Sequence, residues 1–329
     1  MIDSSSLMIQ TVKGLIPGNS LGYCQSHEHL FIKDGYWARL NPSLRIDNFD
    51  RTLLELESYR NSGGVSIVDA QPVGCGRMAE YLYKASVSSG INIIASTGFH
   101  KLAFYPENHW IHNMDEFQLA DLFRSEIEYG MLTDCDNSIS DERMPARAGI
   151  IKTASDIKGP SGKYRKLFEA AAKTSNLTGS SILSHTEMGK GALEQIELLT
   201  SLNVPPDSII ICHIDRNTDD FSNKLEVAKT GVYMEFDTIG RLKYHSDEDE
   251  AGFIIKMIEH GYEDKVLISL DTTRERLKSY GGLPGLDHIL TAFIQLLRNC
   301  GLSDEILKKI TVSNPAKALA IKKNEGSII

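Results

Sequence analysis

Residues 21–30 of the chain, LGYCQSHEHL, form an apolar run that ends in His27 and His29. Side chains two residues apart on a β-strand point to the same face, so both imidazoles are expected on one side. Such a pair is a simple chelating unit for a metal ion, although surface or packing histidines show the same spacing. The runs that follow along the chain decide between these two interpretations.

Seven further short apolar or β-branched runs follow the first one. They lie at 65–70, 91–97, 148–154, 180–186, 208–214, 231–237 and 265–271. Longer amphipathic stretches typical of helices separate most of them, at 51–64, 78–90, 163–176, 191–204 and 250–264. Eight strands that alternate with helices over this length predict an α/β fold of the (β/α)₈ TIM-barrel type, with residues 1–329 as a single domain.

An open, doubly wound parallel sheet is the rival α/β architecture. That fold normally carries a glycine-rich phosphate loop directly after its first strand. The corresponding stretch here, SHEHLFIKDG at 26–35, contains no such loop. The sequence therefore favours the closed barrel.

Composition excludes several classes of partner. The chain has 329 residues, 41% of them hydrophobic, and a net charge of −9, which argues against binding to nucleic acid or an anionic membrane. No apolar stretch is long enough to span a membrane, and the start, MIDSSSLMIQTVKG, does not resemble a signal peptide. The scattered cysteines are expected to be reduced thiols in a cytoplasmic protein; they are Cys24, Cys75, Cys135, Cys212 and Cys300.

Polar side chains lie at or near the ends of the predicted strands. They are His27, His29, Lys152, His185, His213 and Asp271. A barrel brings the C-terminal ends of its strands together at one mouth, where catalytic residues of this fold lie. Each histidine alone could be a core residue and Asp271 alone a helix cap, but a single metal site explains all of them together.

Lys152 is the unusual member of this set, because the run GIIKTAS places it among residues that face the barrel interior. An unpaired ammonium ion there would cost several kcal/mol to desolvate. The amine could act as a Schiff-base nucleophile, as in an aldolase. Alternatively it could add carbon dioxide and become a carbamate whose two oxygens bridge two metal ions, and the nearby histidines and carboxylate favour this second chemistry.

Together these motifs resemble the phosphotriesterase-like branch of the amidohydrolase superfamily over the whole chain. The matching elements are HEHL after the first strand, GIIKTA around the lysine, SHTEMG after the fifth strand, CHIDRN after the sixth and SLDTTR after the eighth. The final segment, from HILTAFIQLL to SNPAKAL, is similar to the closing helices of that family.

The resemblance implies a binuclear metal centre with assigned ligands. His27, His29 and Asp271 would bind the more buried ion, and His185 and His213 the outer one, while Lys152 as a carbamate and a hydroxide would bridge them. Zinc is the expected metal, with manganese, cobalt or iron also suited to such a nitrogen and oxygen site. Asp271 would also accept the proton of the attacking hydroxide and pass it to the leaving group.

Three basic residues near the predicted mouth bear on the substrate. Arg216 follows His213, Arg274 follows Asp271, and Lys243 lies in the loop after the seventh strand. In an acidic protein these cations point to a small anionic ligand, although ordinary surface salt bridges are the simpler alternative. The pattern resembles the branch that opens phosphorylated sugar lactones, in which the bridging hydroxide would attack the lactone carbonyl.

Other functions remain open at this stage. A phosphotriesterase or an acyl-homoserine lactonase would use the same metals, although the polar loop GRLKYHSDEDEAG does not suit an acyl chain. A barrel that has lost catalysis and only binds its ligand would be expected to lack a metal ligand. His100 lies where lactonase relatives often carry a tyrosine beside the scissile carbonyl, and Lys101 could also reach a substrate. Relatives are often dimers, so a homodimer is one expectation.

Overall fold

The computed structural model of the protein describes residues 6–218 and 220–322. An antiparallel hairpin of β1 (Met8–Thr11) and β2 (Gly14–Pro17) precedes eight parallel strands. These are β3 (Cys24–Glu28), β4 (Ser66–Asp69), β5 (Asn92–Gly98), β6 (Ile150–Ala154), β7 (Ile182–His185), β8 (Ile209–Cys212), β9 (Tyr233–Phe236) and β10 (Val266–Ile268). Each strand pairs with its neighbour in chain order from β3 to β10, which confirms the predicted (β/α)₈ barrel.

Helices follow or connect the strands on the outside of the barrel. They are α1 (Tyr36–Leu40), α2 (Phe49–Asn61), α3 (Ala79–Ser89), α4 (Glu116–Glu128), α5 (Arg165–Thr178), α6 (Ala192–Ser201), α7 (Phe221–Lys229), α8 (Asp247–Glu259), α9 (Ile294–Asn299), α10 (Asp304–Lys308) and α11 (Asn314–Ala318). Gly90 and Gly179 end α3 and α5 in the left-handed conformation. Ser246 begins α8 with a capping box, in which its side chain accepts from the amide of Asp249.

Alternation along the strands divides the core into two parts. Ile150, Leu183 and Ile210 face the barrel interior, where they pack together with Val68, Ile94, Tyr233 and Leu267. The intervening residues, such as Ile151, Ile182 and Ile211, pack outward against the helices. Strands that are buried on both faces have continuous apolar sequences, which is why all eight barrel strands could be identified from the sequence.

The N-terminal hairpin was not among the predicted strands. Its Ile9 is fully buried in the interior cluster together with Ala316 of α11 and Leu319, the residue directly after that helix. Backbone hydrogen bonds fix this position, because Val12 donates to the carbonyl of Ile93 and Ile321 donates to that of Met8. The hairpin and the C-terminal segment therefore cover one end of the interior core.

Within the described residues, no helix has both the length and the apolar character needed to cross a membrane.

A buried ion pair links α4 to the segment before α3. Arg77 is bidentate on Glu126, with distances of 2.8 Å and 2.5 Å to its two carboxylate oxygens. Arg77 also donates to the carbonyl of Ser96, while Glu126 accepts from the hydroxyl of Thr97 and the amide of Leu132. Since each charge is the counter-charge of the other, removal of one partner leaves the other unpaired in the interior.

We expect Glu126→Gln to lower the free energy of unfolding by about 3–5 kcal/mol, because the Arg77 guanidinium would stay buried without its counter-charge. Urea denaturation of the purified protein measures this change. The matched control is Glu128→Gln at the end of the same helix, whose partly exposed ion pair with Arg124 should contribute no more than about 1 kcal/mol. Equal effects of the two variants would contradict the structural role of the Arg77–Glu126 pair.

Candidate metal centre

The six side chains that the sequence singled out meet at one mouth of the barrel. Their side chains come from β3, β6 and β7 and from the residues just after β3, β8 and β10. All six residues are buried, from 0% exposed for Lys152 to 8% for Asp271. Charged and polar groups at such depth need partners or a bound ion.

Lys152 lies in the middle of β6 rather than at its end, and strand alternation turns its side chain inward between Ile151 and Thr153. Gly98 of β5 pairs with it and has a φ of +92°. A Cβ at Gly98 would collide with the carbonyl oxygen of Lys152, so only glycine allows this close approach of the two strands. Residue 98 therefore helps to set the position of the lysine.

One part of the cluster surrounds Lys152 Nζ and the Asp271 carboxylate. Lys152 Nζ lies 3.1 Å from His27 Nε2. Asp271 Oδ1 lies 3.7 Å from His27 Nε2 and 3.6 Å from His29 Nε2. Nitrogen and oxygen atoms from His27, His29 and Asp271 all fall within 4.8 Å of one another, a spacing that one metal ion could span.

The other part is a pair of histidines. His185 Nδ1 faces His213 Nε2 at 2.8 Å, and the ring centroids are 4.4 Å apart. The His213 ring also lies 5.0 Å from that of His27, so the two parts of the cluster adjoin. The predicted ligands of both metal ions are thus in one contiguous cluster.

Two carboxylates behind the histidines were missed as functional residues. Glu235 Oε2 lies 2.9 Å from Nδ1 of His27, and Asp237 Oδ1 lies 2.6 Å from Nδ1 of His213. Both are fully buried at or just after the end of β9. A carboxylate on the second ring nitrogen orients a histidine so that its other nitrogen is free to bind a metal. The sequence signal was present, since MEFD places two acids two residues apart, as in the His-x-His pair.

Backbone conformation also sets two of these side chains. His213 and Asp271 have positive φ angles of 62° and 50°, which are uncommon for residues other than glycine. The Asp237 carboxylate accepts from the amide of His213 at 3.0 Å and holds this turn. Unfavourable backbone of this kind is typical of functional sites, where the surrounding structure maintains it.

Burial determines the charge state of the imidazoles. It lowers the pKa of His29 to about 4, and it lowers the pKa values of His27, His185 and His213 well below the usual range. These rings are neutral at physiological pH, which is the form that binds a metal ion.

Two arginines contact the Asp271 carboxylate on its other oxygen. Arg216, a predicted site residue, donates to Oδ2, and so does Arg241 at 2.5 Å. Burial alone would raise the pKa of Asp271, but the two guanidinium groups outweigh it and hold the pKa well below its usual value. Arg241 was not predicted, because the direction of a loop side chain cannot be obtained from strand periodicity.

Three cations surround one aromatic ring beside Asp271. Arg216, Arg241 and Lys243 lie 5.1 Å, 5.6 Å and 4.7 Å from the centroid of the Tyr244 ring. Cations within about 6 Å of an aromatic face are attracted to it. We call these four residues the Tyr244 cluster.

The third predicted phosphate contact, Arg274, lies elsewhere. Its guanidinium is 5.8 Å from the centroid of the Tyr280 ring, and it lines a surface cavity of about 330 Å³ together with Ser43 and Glu275. Its role in binding a ligand stays a prediction.

His100 and Lys101 approach the centre from the loop after β5. The His100 ring is 5.5 Å from that of His185. Lys101 Nζ lies 2.6 Å from Glu187 Oε2, which in turn lies 3.7 Å from His185 Nε2. Both residues therefore lie close to the histidine pair, and their contact with a substrate stays a prediction.

The residues present fit a binuclear metal centre. Lys152 forms no ion pair with any described carboxylate, although it is fully buried among imidazoles and near Asp271. A bare ammonium would repel metal ions at this position, whereas a carbamate would supply a second anionic ligand beside the Asp271 carboxylate. The ring nitrogens and the Asp271 carboxylate supply the remaining donors, in a combination that suits zinc and neighbouring divalent metals.

A (β/α)₈ barrel with this cluster of histidines, lysine and aspartate at its mouth defines a metal-dependent hydrolase. Residues 7–319 match the model of the phosphotriesterase family, and the chain belongs to that family. The members of this family are binuclear metal hydrolases.

Individual relatives match over almost their full length. The chain is 32% identical over 321 residues to a protein of Mycoplasmopsis synoviae named phospho-furanose lactonase, covering 94% of this chain and 91% of that protein. A lactonase structure from Listeria monocytogenes has a TM-score of 0.88 and 30% identity, covering 96% and 100% of the two chains. The phosphotriesterase homology protein of Escherichia coli, solved with phosphate in its active site, has a TM-score of 0.83 and 30% identity, covering 91% and 99%.

We expect Asp237→Asn to weaken metal binding by about 10- to 100-fold, because an amide cannot hold His213 Nδ1–H as a carboxylate does. Competition with a chromogenic chelator measures the affinity. Asp50→Asn, an exposed acidic residue in the first turn of α2, is the control and should leave the affinity unchanged. An Asp237 variant with the affinity of the natural protein would show that this carboxylate does not support the metal site.

Proposed function

We propose that this enzyme hydrolyses a phosphorylated sugar lactone. The chain is a metal-dependent lactonase of the phosphotriesterase family, and the proposal concerns its substrate. The observation that carries it is the Tyr244 cluster, which gathers three cations beside Asp271 in a protein of net charge −9.

The chemistry of these cations suits a phosphate group. A guanidinium can donate two parallel hydrogen bonds to phosphate oxygens, and an ammonium adds a compact charge. Arg216 and Arg241 reach the Asp271 carboxylate as well, so a phosphate held by the cluster would lie within one substrate length of the metal centre. Arg274, in the next loop, is a further candidate contact.

The names of relatives support the same substrate class. The protein of Mycoplasmopsis synoviae is named for a lactonase activity on phosphorylated furanoses, and the Escherichia coli homologue holds phosphate in its active site. Neither name fixes the sugar, its stereochemistry or the ring size for this chain. A neutral phosphotriester or an acyl lactone would make no use of the three cations.

The proposed metal ions are two zinc ions, with manganese or cobalt as alternatives, which His27, His29, His185, His213, Asp271 and a carbamate on Lys152 would hold. When bound, two such ions lower the pKa of water and polarise the oxygen of a carbonyl group. The protein contributes the remaining parts. Asp271 would accept a proton from the attacking water and deliver it to the leaving alkoxide, and His100 and Lys101, which lie near the histidine pair, would contact the substrate.

The carbamate can be tested directly. Protein loaded with zinc in the presence of ¹³C-bicarbonate should show one carbamate carbon signal by NMR, and Lys152→Ala should lose both this signal and most of the bound metal. Lys163→Ala changes an exposed lysine near the same mouth and should lose neither. A natural enzyme that binds two metal ions without the signal would refute the carbamate and leave the lactonase proposal standing.

The substrate assignment is tested with a pair of lactones that differ only in the phosphate group. Lys243→Ala is the most informative variant, since Lys243 contacts the Tyr244 ring and not Asp271. A charge-assisted hydrogen bond is worth roughly 1.5–3 kcal/mol, so kcat/KM for the phosphorylated lactone should fall about 10- to 100-fold. Activity on the unphosphorylated lactone should barely change, because the lost partner was never used.

Arg274→Ala tests whether the neighbouring loop belongs to the same phosphate site, and Lys84→Ala on the exposed face of α3 is the control. If the Lys243 variant lost the same activity on both lactones, the Tyr244 cluster would not be a phosphate-binding site. A natural enzyme that preferred unphosphorylated or long-chain lactones, or neutral phosphotriesters, would overturn the substrate assignment itself.

A further inference from the structure

A second cluster of potential metal ligands lies outside the residues that the metal centre uses. It consists of Asp215 from the loop after β8, His245 from the loop after β9, and Glu250 from the first turn of α8. Their donor atoms all fall within 4.8 Å of one another. Asp215 and Glu250 are fully buried and His245 is 8% exposed.

Several buried atoms of this cluster have no hydrogen-bond partner among the described residues, unless the Asp215 and Glu250 carboxylates share a proton. They are Asp215 Oδ1, His245 Nε2 and both carboxylate oxygens of Glu250. The other oxygen of Asp215 accepts from the amide of Thr238 at 2.6 Å, which fixes the orientation of the carboxylate. Unsatisfied polar atoms this deep are rare in folded proteins, and a concentration of them points to an ion or another bound group.

The orientation of His245 strengthens this interpretation. Its Nδ1 lies 3.0 Å from the carbonyl oxygen of Ser246, so that nitrogen is the one that carries a proton in the neutral ring. Its Nε2 then presents a lone pair 3.0 Å from Glu250 Oε2, without the alignment of a hydrogen bond. Two ligand atoms at about 2 Å from one tetrahedral ion are separated by roughly this distance.

The local charge balance also favours a cation. Burial raises the pKa of Glu250 well above its usual value, and the negative charges of Asp215 and Asp237 raise it further. Of the nearby cations, Arg216 donates to Asp271, and Lys224 donates to the carbonyl of Asn217. The charges of these two cations also act on the cluster, because Arg216 partly offsets the effect of burial on the pKa of Asp215 and Lys224 does so for Glu250, so two cations face the three carboxylates of Asp215, Glu250 and Asp237.

We propose that Asp215, His245 and Glu250 form a third metal site, which binds a divalent ion of the zinc class separately from the binuclear centre. Two carboxylates and one imidazole are a ligand set that suits zinc, manganese or iron. The ion would join the loop after β8 to the start of α8. Between these lie Arg241, Lys243 and Tyr244, so its structural role would be to hold the Tyr244 cluster in position.

Counting the metal ions tests the site without reference to catalysis. The full-length protein is stripped with chelator, reloaded with zinc chloride, desalted and analysed by inductively coupled plasma mass spectrometry. We expect three zinc ions per chain in the natural protein and two in the double variant His245→Gln/Glu250→Gln. The Lys152→Ala variant, impaired in the binuclear centre, should keep the ion of the third site.

The matched control is Glu248→Gln, which changes an exposed acid in the same turn of α8 and should retain three ions. Anomalous diffraction from zinc-loaded crystals of the natural protein locates the ions even if the double variant fails to fold. A peak enclosed by Asp215, His245 and Glu250 is expected. Two ions per chain and no peak there would overturn the proposal, and would show that a proton shared within the cluster balances its charge; the lactonase proposal would be unaffected.

Discussion

The hydrogen bonds of Glu28 close the barrel, and the site depends on them. Strands β3 and β10 do not form a ladder with each other, so side chains and single backbone bonds must join the first and last barrel strands. Glu28 accepts from the Ser269 hydroxyl at 2.9 Å and from the amides of Leu270 and Thr272 at 2.9 Å and 3.1 Å. The amide of Asp271 adds a bond to the carbonyl of His27 at 3.1 Å.

This junction explains why a glutamate stands between two histidines. Alternation sends Glu28 to the opposite face from His27 and His29, toward the segment after β10. The hydrogen bonds that Glu28 accepts from that segment hold Asp271 next to the imidazoles of His27 and His29. Burial raises the pKa of Glu28 to about 7, while the hydrogen bonds from Leu270, Ser269 and Thr272 favour its charged form. The hydrogen bonds that close the barrel therefore also bring Asp271 next to His27 and His29.

Strand periodicity accounts for most of what the sequence could predict. Each barrel strand is an apolar run because both its faces are buried, so a polar side chain within or just after a run stands out. Lys152, His185 and His213 were recognisable for this reason. Glu235 and Asp237 carried the same two-residue signal and could have been found with it.

Features that depend on contacts between distant segments could not be predicted in this way. The first hairpin contains Gln10, Thr11 and Lys13, and only its packing on the barrel makes Ile9 a core residue. The Tyr244 cluster belongs to loops, where no repeating geometry tells which of two neighbouring cations turns toward the site. Arg241 contacts Asp271, whereas Lys243, two residues later, lies on the Tyr244 ring.

The residues proposed to carry out the reaction lie in the barrel strands or just after them, whereas those proposed to select the substrate belong to the loops. The predicted metal ligands lie within the barrel strands or up to three residues after them, where the backbone and the Glu28 junction hold them, so their geometry tolerates little change. The cations that would select a substrate are carried by the loops after β8 and β9, and loops accept substitution at low cost to the fold. Arg216 and Arg241 are the exception, because both also contact Asp271. Any change of substrate that alters these two arginines must therefore also preserve the environment of Asp271, whereas changes at Lys243 are free of that constraint.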